Sequence, residues 1–120
     1  MKAGDYVRTK YGTIGIIIEQ NEKYLIIPYK TDELFINKND IVKSSSNIID
    51  LIEVGDYVNG CLVDNINYDL DKAEDIIESI TIILPFQDNK DILKNEDIKS
   101  IVTKESFSNV EYKVEELKWK

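Results

Sequence analysis

A length of 120 residues with 42% hydrophobic and 32% charged content suits one folded domain of ordinary size or two very small ones, and argues against a disordered chain. Twenty-three acidic residues against fifteen Lys and Arg leave a formal charge of −8, which argues against binding of bare DNA or RNA backbone. The absence of His removes the commonest neutral-pH base and metal ligand, and a single Cys excludes an internal disulfide framework or a CxxC metal site. No apolar stretch follows Met1 and no window approaches 18 apolar residues, so neither a signal peptide nor a membrane span is expected.

In chain order, Asp5–Thr9 reads as a first strand alternating around Tyr6 and Arg8. Thr13–Glu19 is β-branched and apolar, opened by Gly12 and broken by Gly15. Lys23–Pro28 and the short Glu33–Ile36 follow, Asn37–Asp40 is a turn, and Ile41–Lys43 closes the series. Ser44-Ser45-Ser46-Asn47 is a polar link, and the Ile48-Ile49-Asp50-Leu51-Ile52 run after it is apolar enough to pack between two units. A second series runs Asp56–Val58, Cys61–Asn67, Ser79–Leu84, Asp91–Leu93, a turn at Asn95–Asp97, and Ile98–Thr103. Thr103 caps a short helix opening with Lys104-Glu105-Ser106-Phe107, with Glu105 favourable near its N-terminus and Phe107 and Val110 facing inward. Glu111–Val114 is a last strand, and Glu115–Lys120 a charged tail carrying Trp119. A rival reading makes Lys72–Ile80 a helix, because Ala73, Ile76, Ile77 and Ile80 recur at helical spacing; the density of β-branched Ile weighs against it.

The two series are a degenerate repeat. Ala3-Gly4-Asp5-Tyr6-Val7 returns as Val54-Gly55-Asp56-Tyr57-Val58 at an offset of about 51, and Asn39-Asp40-Ile41 returns as Glu96-Asp97-Ile98 at about 57, so the second copy is longer by about six residues. The segment from Asp64 to Glu78 holds six carboxylates and one Lys and reads as an acidic loop or hairpin extension of the second copy. Five short strands with a tight turn before the last, in roughly 40 residues, is the layout of a small SH3-like barrel. The expected fold is all-β with minor α content: two tandem SH3-like barrels, residues 1–46 and 47–120, the second carrying the acidic insertion at 64–78 and the short C-terminal helix. About twenty Ile residues suit sheet packing. Barrels this small bury little surface alone, so the copies are expected to share an interface or the protein to form homo-oligomers.

Gly4-Asp5 and Gly55-Asp56 read as turns that launch Tyr-Val strands: Gly permits unusual φ, and Asp bonds its own turn backbone. Arg8 is the only Arg. With Lys10 and Tyr11 it sits near the loop between the first two strands, and with Tyr57 these residues form a candidate set for phosphate and base contacts. Asn67, Asp69, Asp71 and Glu78 fall at calcium-loop positions 1, 3, 5 and 12, but Lys72 stands where that loop requires Gly, so no metal site is expected. The same acidic run supports a second use. Regularly spaced carboxylates mimic a phosphate backbone and occupy a basic groove, with Asp69, Asp71, Glu74, Asp75 and Glu78 as partner-binding residues. No catalytic motif occurs: Gly12-Thr13-Ile14-Gly15 lacks a following Lys-Ser/Thr, and Cys61, in Gly60-Cys61-Leu62-Val63, reads as core. Neither an enzymatic activity nor a cofactor is expected.

The blocks Gly4-Asp5-Tyr6-Val7-Arg8-Thr9, Asn47 through Gly60, Ile98 through Phe107 and Tyr112-Lys113-Val114-Glu115-Glu116 together resemble small proteins encoded by phages and prophages of low-GC Gram-positive bacteria. The resemblance implies a cytoplasmic protein, expressed in an infected or lysogenic bacterium and without membrane contact, with an accessory role, and carries over no catalytic residue. By count, residues 1–53 hold 7 basic and 8 acidic groups and residues 54–120 hold 8 and 15, so the second half carries −7 of the −8. The leading expectation is therefore a non-enzymatic counter-defence inhibitor that blocks a host effector, such as a CRISPR effector or another nucleic-acid enzyme, through its acidic surface. The alternatives are an oligomeric sponge for a cyclic-nucleotide signal, using Arg8, Lys10, Tyr11 and Tyr57, and a regulatory or assembly module of the phage programme.

Overall fold

In the computed structural model, which describes residues 1–29, 31–71, 76–86, 89–105 and 112–114, the first half contributes strands β1 (Tyr6–Thr9), β2 (Ile14–Ile16), β3 (Glu19–Gln20), β4 (Tyr24–Tyr29), β5 (Asp32–Asn37) and β6 (Ile41–Ser45). The second contributes β7 (Tyr57–Val58), β8 (Cys61–Tyr68), β9 (Ile77–Ile83), β10 (Lys90–Leu93), β11 (Ser100–Val102) and β12 (Tyr112–Lys113). The remaining regular elements among the described residues are single 3-10 turns at Lys38–Asp40, Ile48–Leu51 and Asn95–Asp97. The protein is all-β. Its strands form a β2-β1-β6 sheet, a β3-β4-β5 sheet and a six-stranded β10-β9-β8-β7-β11-β12 sheet, antiparallel throughout.

The two halves share strand order and register. Tyr6 and Val7 pair with Ser45 and Ser44, as Tyr57 and Val58 pair with Val102 and Ile101. Leu25 and Phe35 lie opposite Ile36 and Ile26, as Ile80 and Ile92 lie opposite Leu93 and Thr81. The Gly-Asp turns match bond for bond. Gly4 N–H donates to the Ile17 carbonyl and Ile17 N–H to that of Asp5, as Gly55 N–H donates to Val63 and Val63 N–H to Asp56. Asp5 Oδ2 accepts the N–H of Lys2, and Asp56 Oδ2 that of Glu53. Both glycines hold positive φ, +94° and +100°, which only Gly adopts at little cost. The net six-residue excess of the second half resolves into three changes. Its first hairpin is five residues shorter, its second nine longer and its third two longer.

Apolar alternation decides which faces are buried. Val7, Ile17, Leu25, Ile27 and Ile36 form one core; Ile14, the Ile48–Ile52 segment, Val58, Cys61, Val63, Ile80, Ile82, Ile98 and Ile101 form the other. The segment after the polar link touches β1, β6 and β9 and so lies between the halves. Strand β1 is covered on both sides: Val7 enters the first core, while Tyr6 packs against the second.

Three expectations differ from the structure. Gly15 does not break a strand but lies within β2, where a Cβ would meet the Ile27 side chain at 2.5 Å; the interruption comes after Ile16. Ile77–Ile80 belong to β9, so the helical reading of Lys72–Ile80 fails for that part, and residues 72–75 lie outside those described. Lys104 and Glu105 form a turn; the rest of the expected C-terminal helix, with Phe107 and Val110, and the charged tail with Trp119 lie outside the described residues.

Candidate functional site

Arg8 follows Val7 on β1, so its side chain leaves the strand on the face that the second half covers. It is fully buried. Nη1 donates to the Leu51 carbonyl (2.9 Å) and to Asp56 Oδ2 (2.5 Å); Nη2 donates to Asp56 Oδ1 (3.0 Å) and Glu105 Oε1 (2.6 Å). Asp56, also fully buried, accepts the backbone N–H groups of Glu53 (2.8 Å) and Lys104 (3.0 Å) as well. Burial works against the charged guanidinium, but the hydrogen bond and charge of Asp56, with Glu105 and Glu53, outweigh it and raise its pKa above the usual range. Beside them Glu53 bridges Lys104 Nζ (2.9 Å) and Lys43 Nζ (3.3 Å). Burial pushes its carboxyl up, yet Lys104, Arg8 and Lys43 together hold it below the usual carboxylate range.

This geometry corrects the candidate phosphate site. Arg8 is not at a solvent-facing loop; its charge is neutralised inside the protein by carboxylates. Lys10 and Tyr11 do come together, with Lys10 Nζ 5.3 Å from the Tyr11 ring centre, but Lys10 also pairs with Asp40 at 3.3 Å. Tyr57 is half-exposed on β7, and Arg8 is not available to join it in a ligand site. Sequence reasoning missed Asp56 and Glu105 as partners of Arg8. The available signal was the alternation of β1, which puts Tyr6 and Arg8 on one face and makes a lone Arg beside a packed Tyr a candidate for burial.

The acidic segment is an extension of the β8–β9 hairpin. Tyr68 pairs with Ile77, and Asp69 N–H donates to the Ile76 carbonyl (2.9 Å). Asp71 N–H donates to Asp69 Oδ1 (3.0 Å), an Asx turn that starts the bend. Asp69 is half-buried, and Asp71 and Glu78 are exposed. Glu74 and Asp75 lie outside the described residues. Among the carboxylates stand Leu70, 93% exposed, and Tyr68 and Ile76, about half-exposed. Lower on the hairpin, Asn67 Nδ2 donates to Ser79 Oγ and Thr81 Oγ1 (both 3.0 Å) and Asn65 Nδ2 to Asn67 Oδ1, which ties the two strands together on their outer face. Cys61 is buried in the second core, its thiol against the Asn59 carbonyl at 3.8 Å. Among the described residues no three Asp, Glu, Cys or His side chains converge as a metal site would require, and no helix is long and apolar enough to cross a membrane.

Comparison with family models, with curated proteins and with solved structures found no match for this chain.

Proposed function

We propose that this protein is a non-enzymatic binder of a basic partner protein, a phage-type counter-defence inhibitor that occupies a nucleic-acid-binding groove of a host effector and acts in the bacterial cytoplasm. The observation that carries this reading is the β8–β9 hairpin tip, where Leu70 stands in solvent between Asp69 and Asp71. A hairpin extended only to stay soluble has no use for a fully exposed Leu; carboxylates interleaved with Tyr68, Leu70 and Ile76 suit a partner that is basic and offers an apolar hollow. The charge steers the encounter, and the apolar side chains are buried on docking.

Under the same proposal the scaffold is a pair of SH3-like units, residues 1–46 and 47–120. Matching strand order, matching Gly-Asp turns and a 3-10 turn before β6 in the first half and before its counterpart β11 in the second support it. The nine extra residues of the second hairpin are then an addition to a shared plan, placed where a loop lengthens without disturbing the sheet.

The test is affinity capture from a host lysate followed by measurement with the purified captured protein. Affinity falls steeply with added salt, and a variant carrying D69N, D71N, E74Q and D75N loses binding while keeping its fold. Unchanged affinity in that variant overturns the proposal.

A further inference from the structure

We infer that the outer face of the β3-β4-β5 sheet holds a second recognition site, which takes one cationic side chain, Lys or Arg, from a partner protein. Glu19, Ile26 and Phe35 lie side by side across the three strands. Tyr24, two residues before Ile26, shares their face. With Gln20 and Asn21 these residues line a hollow of about 50 Å3, the size of a side-chain head and not of a drug-sized ligand. Ile26 is its floor, Tyr24 and Phe35 are aromatic walls, and Glu19 is the charged wall.

Charge and exposure choose the occupant. Phe35 is 65% and Tyr24 42% exposed, so each leaves much of an aromatic ring in water. The Glu19 side chain makes no ion pair or hydrogen bond among the described residues. A carboxylate beside two open aromatic rings attracts an alkylammonium or guanidinium: the ring faces carry negative potential, and the carboxylate supplies the counter-charge and hydrogen-bond acceptors. An anion is repelled by Glu19, and a purely apolar group leaves it unpaired.

The second half shows that the fold does not require these residues. At the positions equivalent to Glu19, Tyr24, Ile26 and Phe35, the shared register places Asn65, Ser79, Thr81 and Ile92. There the polar side chains are joined to one another through Asn67. The same backbone thus carries a self-satisfied polar face in one half and an unpaired acid with two rings in the other. This site is separate from the β8–β9 hairpin and does not depend on it.

The test is an amide-shift titration of the intact protein with N-acetyl-lysine methylamide and N-acetyl-arginine methylamide, with N-acetyl-norleucine methylamide as the neutral analogue. A saturable shift of the Gln20, Tyr24, Ile26 and Phe35 amides is expected, with a dissociation constant on the order of 1 mM for an isolated side chain. E19Q, which keeps the shape of the hollow, weakens the cationic probes about tenfold, while E33Q on neighbouring β5 leaves them unchanged. Because the probe is small, the result is independent of whether the hairpin finds a partner. Absence of a saturable shift with either cation, an equal response to norleucine, or an unchanged constant in E19Q overturns the inference.

Discussion

Arg8 and Asp56, 48 residues apart in sequence, meet in a two-point ion pair with both side chains closed to water. Such pairs need every remaining hydrogen-bonding group satisfied to offset desolvation. Asp56 achieves this through the Glu53 and Lys104 amides, and the two terminal nitrogens of Arg8 through Leu51 and Glu105, while Arg8 Nε is buried without a hydrogen bond, 3.9 Å from Glu53 Oε2.

Arg8→Met leaves Asp56 buried without its cation and is expected to cost about 3–5 kcal/mol. Asp56→Asn costs less, because Glu105 still holds the guanidinium. The double variant is more stable than the sum of the two losses implies, because the charge left buried in each single variant is then gone. Urea midpoints of the four proteins check this; strict additivity denies the coupling.

Glu53 gives the fold an acid limit. Its carboxyl is held below the usual range, so the native state favours the ionised form more than the unfolded chain does. That contribution is complete above about pH 4.3, where a free Glu titrates, and is lost as pH falls through the lowered native value. Urea midpoints measured from neutral pH downward are expected to decline in this acid window, and less so in Glu53→Gln. An identical decline in both proteins rules Glu53 out as a contributor.

Gly12 tests the contact between the halves from the other side. The Thr103 hydroxyl donates to its carbonyl (2.7 Å), its φ is +88°, and a Cβ there would collide with Thr103 Oγ1. Gly60, at φ +82°, has open space around the same position. Gly60→Ala is expected to cost only the left-handed backbone penalty, about 1–2 kcal/mol, and Gly12→Ala more than that. Equal losses would show that the Thr103 contact is soft.

Leu70→Ser is expected to leave the unfolding midpoint within about 0.5 kcal/mol of the parent, since the side chain packs on nothing. Any partner captured through the hairpin binds the variant more weakly. A stability loss with unchanged binding reverses the role given to Leu70.

Much of the framework is legible in the residues themselves. Gly4-Asp5 and Gly55-Asp56 mark the turns, Leu25 and Ile27 alternate with less buried neighbours, and the Asn39-Asp40 and Glu96-Asp97 pairs locate the 3-10 turns. Arg8 is not legible in the same way. A short strand read alone shows its two faces but not what covers the second one, and Arg8 is buried by a unit that begins about forty residues later. Gly15 misleads for a related reason: it serves close approach to Ile27 across the core, whereas a lone Gly in an apolar run reads as an interruption. The aromatic and acidic face of Glu19, Tyr24 and Phe35 emerges only once register places those residues in one row.

The double coverage of β1 ties the fate of one repeat to the other. An excised N-terminal segment would lay bare Tyr6 and an unneutralised guanidinium, so neither a stable fragment nor a separate early melting step is to be expected from it. Heating should dissolve both halves in a single cooperative event, and a ribosome releasing the first forty-odd residues holds a chain that must wait for Asp56 before it can settle.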